Sequence, residues 1–153
     1  MSIFLSDRER QTEVDYSGWH DAEGNLRRAL VTPFELQIAT ARYDVAPVHL
    51  RVLSGPPRSE PDAAHIAEAD LQIPSGKLVL HTVIDEWDSV PDIPVMPGRY
   101  RVRITYLPYS GTPLDGADAD APGDYLDYRI DLWLSPEPTD PETVIQGPEL
   151  WAG

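Results

Sequence analysis

Apolar positions recur at every second residue along much of the 153-residue chain, and nowhere do they sustain the 3.6-residue period of a helix. Phe34, Leu36 and Ile38 alternate with Glu35, Gln37 and Ala39, and Val48, Leu50 and Val52 alternate with His49 and Arg51. Ala69, Leu71 and Ile73 form a shorter set. The run KLVLHTVI (Lys77 to Ile84) is apolar on both faces, which predicts a central strand. YRVRITY (Tyr100 to Tyr106) and YRIDLWL (Tyr128 to Leu134) are the clearest strands. Tyr100, Val102, Ile104 and Tyr106 share one face, opposite Arg101, Arg103 and Thr105. Tyr128, Ile130, Leu132 and Leu134 share another, opposite Arg129, Asp131 and Trp133. Paired as a long-looped hairpin, the two turn their apolar faces to the core and set Arg101 and Arg103 across from Asp127 and Asp131. Such facing charges are worth roughly 0.2–1 kcal/mol per pair.

Proline and glycine punctuate these runs. Residues 54–62 (SGPPRSEPD), 90–98 (VPDIPVMPG) and 113–124 (PLDGADADAPGD) are loops by composition. Sixteen prolines, placed between the strands, argue against long helices. In the N-terminal third, TEVDYSGW reads as a strand and HDAEGN as its turn. NLRRAL reads equally as a helical turn or as the lead into a strand. No internal repeat is present. Seven or eight short strands separated by turn signals predict an all-β fold, an antiparallel β-sandwich of jelly-roll-like form. The length, with 41% hydrophobic residues, fits a single domain over 1–153 that buries its own core. From about residue 135 a proline-rich C-terminal tail is expected to be extended and partly mobile.

Charge changes the picture most. Twenty-six acidic residues against twelve basic ones give a net charge of −14. Nucleic acid and anionic membranes are disfavoured, because both are bound chiefly through lysine and arginine. A basic protein partner is favoured, since opposite fields steer encounter; the plain alternative is that acidity serves solubility. Zero cysteines exclude disulfides, thiolate metal sites and cysteine nucleophiles. MSIFLSDRER has too short an apolar patch for a secretory signal, and no run approaches the ~20 apolar residues of a membrane span, so a cytoplasmic location is expected.

The aspartates of 113–124 raise the question of a calcium loop. Counted from Asp118, Asp120 takes the third position, Pro122 the fifth and Gly123 the sixth, but Arg129 falls at the twelfth, where a carboxylate must close the cage. An acidic hairpin tip is the expectation, with another calcium geometry through Asp115, Asp118, Asp120 and Asp124 left open. His20, His49, His65 and His81 show no ligand spacing, and His49 and His81 are expected to face solvent. GxSxG, GxGxxG and GxxxxGK[ST] are all absent. No metal, no cofactor and no enzymatic activity are expected. Trp133 falls on the polar face of its strand and Trp87 lies among acids in IDEWDSVPD, as exposed binding anchors do. Trp19 and Trp151 lie in the least legible parts of the chain. The expected partner-binding residues are Asp85, Glu86, Trp87, Asp88, Asp118, Asp120 and Trp133.

PSGKLVL, PDIPVMPGRYRVRITY and DYRIDLW followed by a proline-rich tail, with LRVLSGPP upstream, resemble a large bacterial family of acidic β-sandwich proteins. More distantly, the strand order and the PxGxYxV hairpin resemble competence protein J, an inhibitor of a DNA-entry nuclease, and its β-sandwich relatives. The resemblance covers about the last two thirds of the chain. It implies a small acidic sandwich that binds another protein and offers no catalytic residue. The expected function is therefore a non-enzymatic acidic module of the inhibitor or immunity-protein kind. Such a module occupies the basic site of a partner such as a nuclease or toxin. The alternative is a small-ligand or carbohydrate-binding sandwich, with or without the assistance of calcium.

Overall fold

The computed structural model describes residues 2–9, 22–40, 47–58, 60–108 and 126–147. Among these described residues ten strands and one short α-helix follow in the order β1 (Ser2–Asp7), α1 (Ala22–Arg27), β2 (Ala29–Thr32), β3 (Glu35–Ala39), β4 (Val48–Leu53), β5 (His65–Ile73), β6 (Lys77–His81), β7 (Ile93–Pro94), β8 (Gly98–Pro108), β9 (Leu126–Leu134) and β10 (Glu142–Ile145). They build two five-stranded sheets, ordered β2-β3-β1-β6-β7 and β10-β5-β8-β9-β4. The sheets face each other as a β-sandwich. Ile3, Leu5, Leu36, Ile38 and Leu78 from the first pack with Leu71, Ile73, Tyr100, Val102, Ile104, Tyr106, Tyr128 and Ile130 from the second. Period-two alternation places each of these inward, and their burial supplies the main driving force.

Pairing is antiparallel throughout except for β4, which runs parallel to β9, with Leu50 opposite Ile130. The predicted β8–β9 hairpin forms, but its charge register differs from expectation. Arg103 faces Asp131, whereas Arg101 faces Trp133, and Asp127 faces Leu107. The reason is that β8 has β5 on its other side, where Glu68 and Asp70 stand opposite Arg103 and Arg101.

Several elements depart from the sequence pattern. In sequence β1 offers only a short apolar patch, because Ser6 and Asp7 close it with polar groups. Both are fully buried, and Asp7 accepts hydrogen bonds from the backbone N–H of Ser75 (3.0 Å), from Ser75 Oγ (2.9 Å) and from Glu9 N–H (2.8 Å). NLRRAL is both of its readings in succession, ending α1 and opening β2. Between them Arg28 takes a left-handed φ of 62°, while Tyr106 Oη donates to its carbonyl and to that of Ala39. KLVLHTVI ends as a strand at His81, and Val83 and Ile84 lie exposed in a turn. Gly76 closes the β5–β6 turn at φ 70°, where an added Cβ would lie 2.9 Å from the Val95 carbonyl oxygen. TEVDYSGW lies outside the described residues.

Residues 135–147 of the proline-rich tail are docked on the sandwich. Ser135 N–H donates to the Arg99 carbonyl (3.0 Å), Thr139 N–H to Asp70 (2.8 Å), and β10 pairs with β5.

Candidate protein-binding loop

Residues 82–92 join β6 to β7 and fold back over the outward face of the first sheet. Asp85 N–H donates to the Thr82 carbonyl (3.3 Å), while Asp85 Oδ2 accepts from Thr82 N–H (2.7 Å) and Oγ1 (3.1 Å). This closed turn leaves Val83 and Ile84 at its corner. A single 3₁₀ turn, Trp87–Ser89, follows, with Ser89 N–H donating to the Glu86 carbonyl at 2.9 Å. Asp85, Glu86, Asp88 and Asp92 are all exposed.

Arg8, just past β1, holds this loop from beneath. Its Nε donates to Asp92 (2.6 Å), its Nη1 to the Trp87 carbonyl (2.6 Å) and its Nη2 to the Val90 carbonyl, while its guanidinium lies 4.8 Å over the Trp87 ring. Trp87 in turn meets His81 edge-on at 4.9 Å, and His81 stacks on Phe4 at 5.2 Å. Trp87 is thus half-buried and committed inward, and it is the acids beside it that reach solvent.

Beneath Trp87, Ser6 Oγ lies 2.7 Å from Glu35 Oε2 and 3.0 Å from His81 Nε2. The residue types are those of a hydrolytic triad, but the geometry is not. A triad carboxylate orients the imidazole from the nitrogen remote from the serine, whereas here Glu35 stands 4.0 Å from the same Nε2. Ser6 donates to the carboxylate, His81 Nε2–H donates to Ser6, and Ser6 is fully buried. Burial lowers the His81 pKa, with the charge of Glu35 working against the shift. The trio therefore ties β1, β3 and β6 together. His81 does not face solvent as expected, because the returning loop covers it; His49 does.

The outer face of the second sheet is a closed ion network. Arg101, 4% exposed, contacts Glu68 (3.3 Å) and Asp70 (3.0 Å) and donates to the carbonyls of Thr139 (3.2 Å) and Asp140 (3.1 Å). Arg103 Nε donates to Glu68 (2.6 Å) and its Nη1 to the Pro57 carbonyl (3.2 Å), and Arg51 meets Asp131 through two contacts of 2.6 and 3.1 Å. Trp133 belongs to this layer, with Arg103 5.8 Å from its ring and only 7% of it exposed. The expectation of an exposed Trp133 is overturned. Its strand face is polar, but Arg101 stands opposite it on β8 and the Arg103 guanidinium lies over its ring.

Asp118 and Asp120, with Asp115 and Asp124, lie outside the described residues. Among the described residues no group of three or more histidine and carboxylate side chains is placed to hold a metal ion, and no helix is long and apolar enough to cross a membrane. A cleft of about 310 Å³ lies where the tail crosses the β2–β3 turn, lined in part by Val31, Pro33, Gln72, Arg99, Pro138 and Thr139. No aromatic ring lines it.

No protein-family model matches the chain, and no curated protein sequence is significantly similar to it. Two solved structures share its fold. One is ComJ of Bacillus subtilis, an inhibitor of the DNA-degrading activity of NucA, at a TM-score of 0.63 and 10% identity over 88% of each chain. The other is the product of crocagin biosynthetic gene J, at a TM-score of 0.54 and 19% identity over 88% of this chain and 90% of that one. At these identities the likeness is one of fold, and it bears out the distant structural resemblance read from the strand order.

Proposed function

We propose that the protein is a non-enzymatic, acidic protein-binding module of the cytoplasm, which inhibits a basic partner such as a nuclease by occupying its phosphate-binding groove. The observation that carries this reading is the anchored loop at 82–92, where Arg8 and Trp87 are spent inward so that Asp85, Glu86 and Asp88 stand out in a fixed array. Carboxylates held in this way mimic the phosphates that such a groove binds, and the pre-paid ordering favours affinity. The inhibitory role of ComJ toward a nuclease on the same fold supports it. Asp118 and Asp120 supply a second acidic stretch in this proposal. A sugar platform needs aromatic rings, and the cleft beside the tail has none among its described lining residues.

The test is capture from native cytosol on the tagged protein at low and at physiological salt. The expected result is one basic protein, retained at low salt, released by salt, and inhibited in its nuclease activity by the purified module. Lysine at Asp118 and Asp120 should slow association and flatten its salt dependence. An empty eluate in both buffers counts against the whole reading.

A further inference from the structure

We infer that Ile84, with Val83 beside it, is the apolar tip of a wedge that seats in a socket of the partner, and that Glu86 and Asp88 meet lysines and arginines around the socket's mouth. This inference rests on the protein-binding reading above and changes the roles within it: Trp87 is the internal strut and Ile84 the anchor.

Ile84 is 86% exposed and Val83 52% exposed. A lone exposed aliphatic residue is ordinary. Here three further observations set the pair apart. The turn that carries it is closed three times over, by the Asp85 N–H to Thr82 carbonyl bond and by the two bonds from Thr82 to Asp85 Oδ2. The base of the loop is clamped at Trp87, Val90 and Asp92 by one guanidinium. The tip therefore loses little freedom on docking, and a rigid apolar residue followed at once by exposed acids is the arrangement of an interface anchor with a charged rim. The charge is one-sided as well: between Lys77 and Arg99 the chain has no lysine or arginine and four acids, Asp85, Glu86, Asp88 and Asp92. An apolar tip on such an acidic loop is complementary to a protein socket with an apolar floor and a basic mouth. A nucleic acid or an anionic membrane would be repelled by the same acids.

The four acids are not equivalent. Asp92 is paired with Arg8, and Asp85 holds the turn, so reversing either would disturb the loop itself. Glu86 and Asp88 are the charges to reverse.

A photoreactive benzoylphenylalanine placed at position 84, with position 144 on β10 as the control, tests this in native cells. Val144 is 49% exposed and belongs to the other sheet. The expected result is a protein adduct from position 84 only, reduced at least tenfold by E86K together with D88K, whose thermal unfolding matches the parent. The adduct partner, once purified, should bind Ile84→Ala at least tenfold more weakly, mainly through faster dissociation. An adduct from 144 with none from 84 overturns the wedge and leaves the protein-binding reading standing. Adducts from both positions alike, or one from 84 that is indifferent to the charge reversals, overturn the wedge with a basic mouth. The absence of adducts from both positions, combined with an empty capture from cytosol, overturns both readings.

Discussion

His65 Nδ1 accepts the backbone N–H of Gly147 at 3.1 Å, joining residues 82 apart in sequence. The other ring nitrogen, Nε2, is 3.0 Å from the Arg27 carbonyl, to which it donates in the neutral ring. One buried imidazole thus bridges the end of α1 and the C-terminal tail.

Burial pushes the His65 pKa down to about 4, with the Arg27 carbonyl working against the shift and the charge of Arg28 adding to it. In the unfolded chain the ring takes up its proton near pH 6.5. Between those values the unfolded state binds more protons, so this contribution is present above about pH 6.5 and is lost as pH falls toward 4. The loss reaches about 3 kcal/mol. Denaturant melts of the parent and of His65→Gln at pH 7.5, 6.0 and 4.5 check it. The stability gap between them should shrink as pH falls, and a constant gap refutes the assignment.

Gly147 fits because it has no side chain. A Cβ there would lie 2.6 Å from the Ala64 carbonyl oxygen, 2.8 Å from Arg28 Nη2 and 3.1 Å from His65 Cβ. Gly147→Ala should cost about 1–3 kcal/mol, the usual range for overpacking, and should speed amide exchange in β10 more than in β8.

Arg101 distributes one guanidinium over two carboxylates and two tail carbonyls. Arg101→Met should cost about 1–3 kcal/mol, because two tail carbonyls lose their donor while Glu68 keeps Arg103 and Asp70 keeps Arg99. Lysine should not restore it, since a point charge cannot serve four acceptors in a plane. Chemical denaturation of both variants, with exchange read at Thr139–Ile145, checks this.

Arg8→Met should leave the sandwich folded and free the loop. Exchange at Trp87–Val90 should rise and tryptophan fluorescence should change. Partner association should weaken by about tenfold or more as ordering entropy returns to the binding step.

The faces of the strands were legible in the sequence. The alternations at Tyr100–Tyr106 and Tyr128–Leu132 turn inward as read, and the fold class follows from them. The acidic loop at 85–88 was legible too, but the division of labour within it was not. That Trp87 is a strut depends on Arg8, 79 residues earlier, and on His81 packing beneath it.

Trp133 and Ser6 show where local pattern stops. Period two says which residues share a face, because pleat geometry is set by neighbouring peptide units. It does not say whether that face meets water, since that depends on segments brought over it from elsewhere: Pro57 beside Arg103, the Arg103 guanidinium over Trp133, and Trp87 above His81. The chain by itself determined strands, turns, inward faces and a surplus of acid. Tertiary structure alone decided which polar face would be sealed by arginine, which carboxylate each arginine would meet, and which acids would stand free. Those choices are made when distant segments close on one another, and a buried charge must then find its partner at whatever sequence distance the fold supplies one.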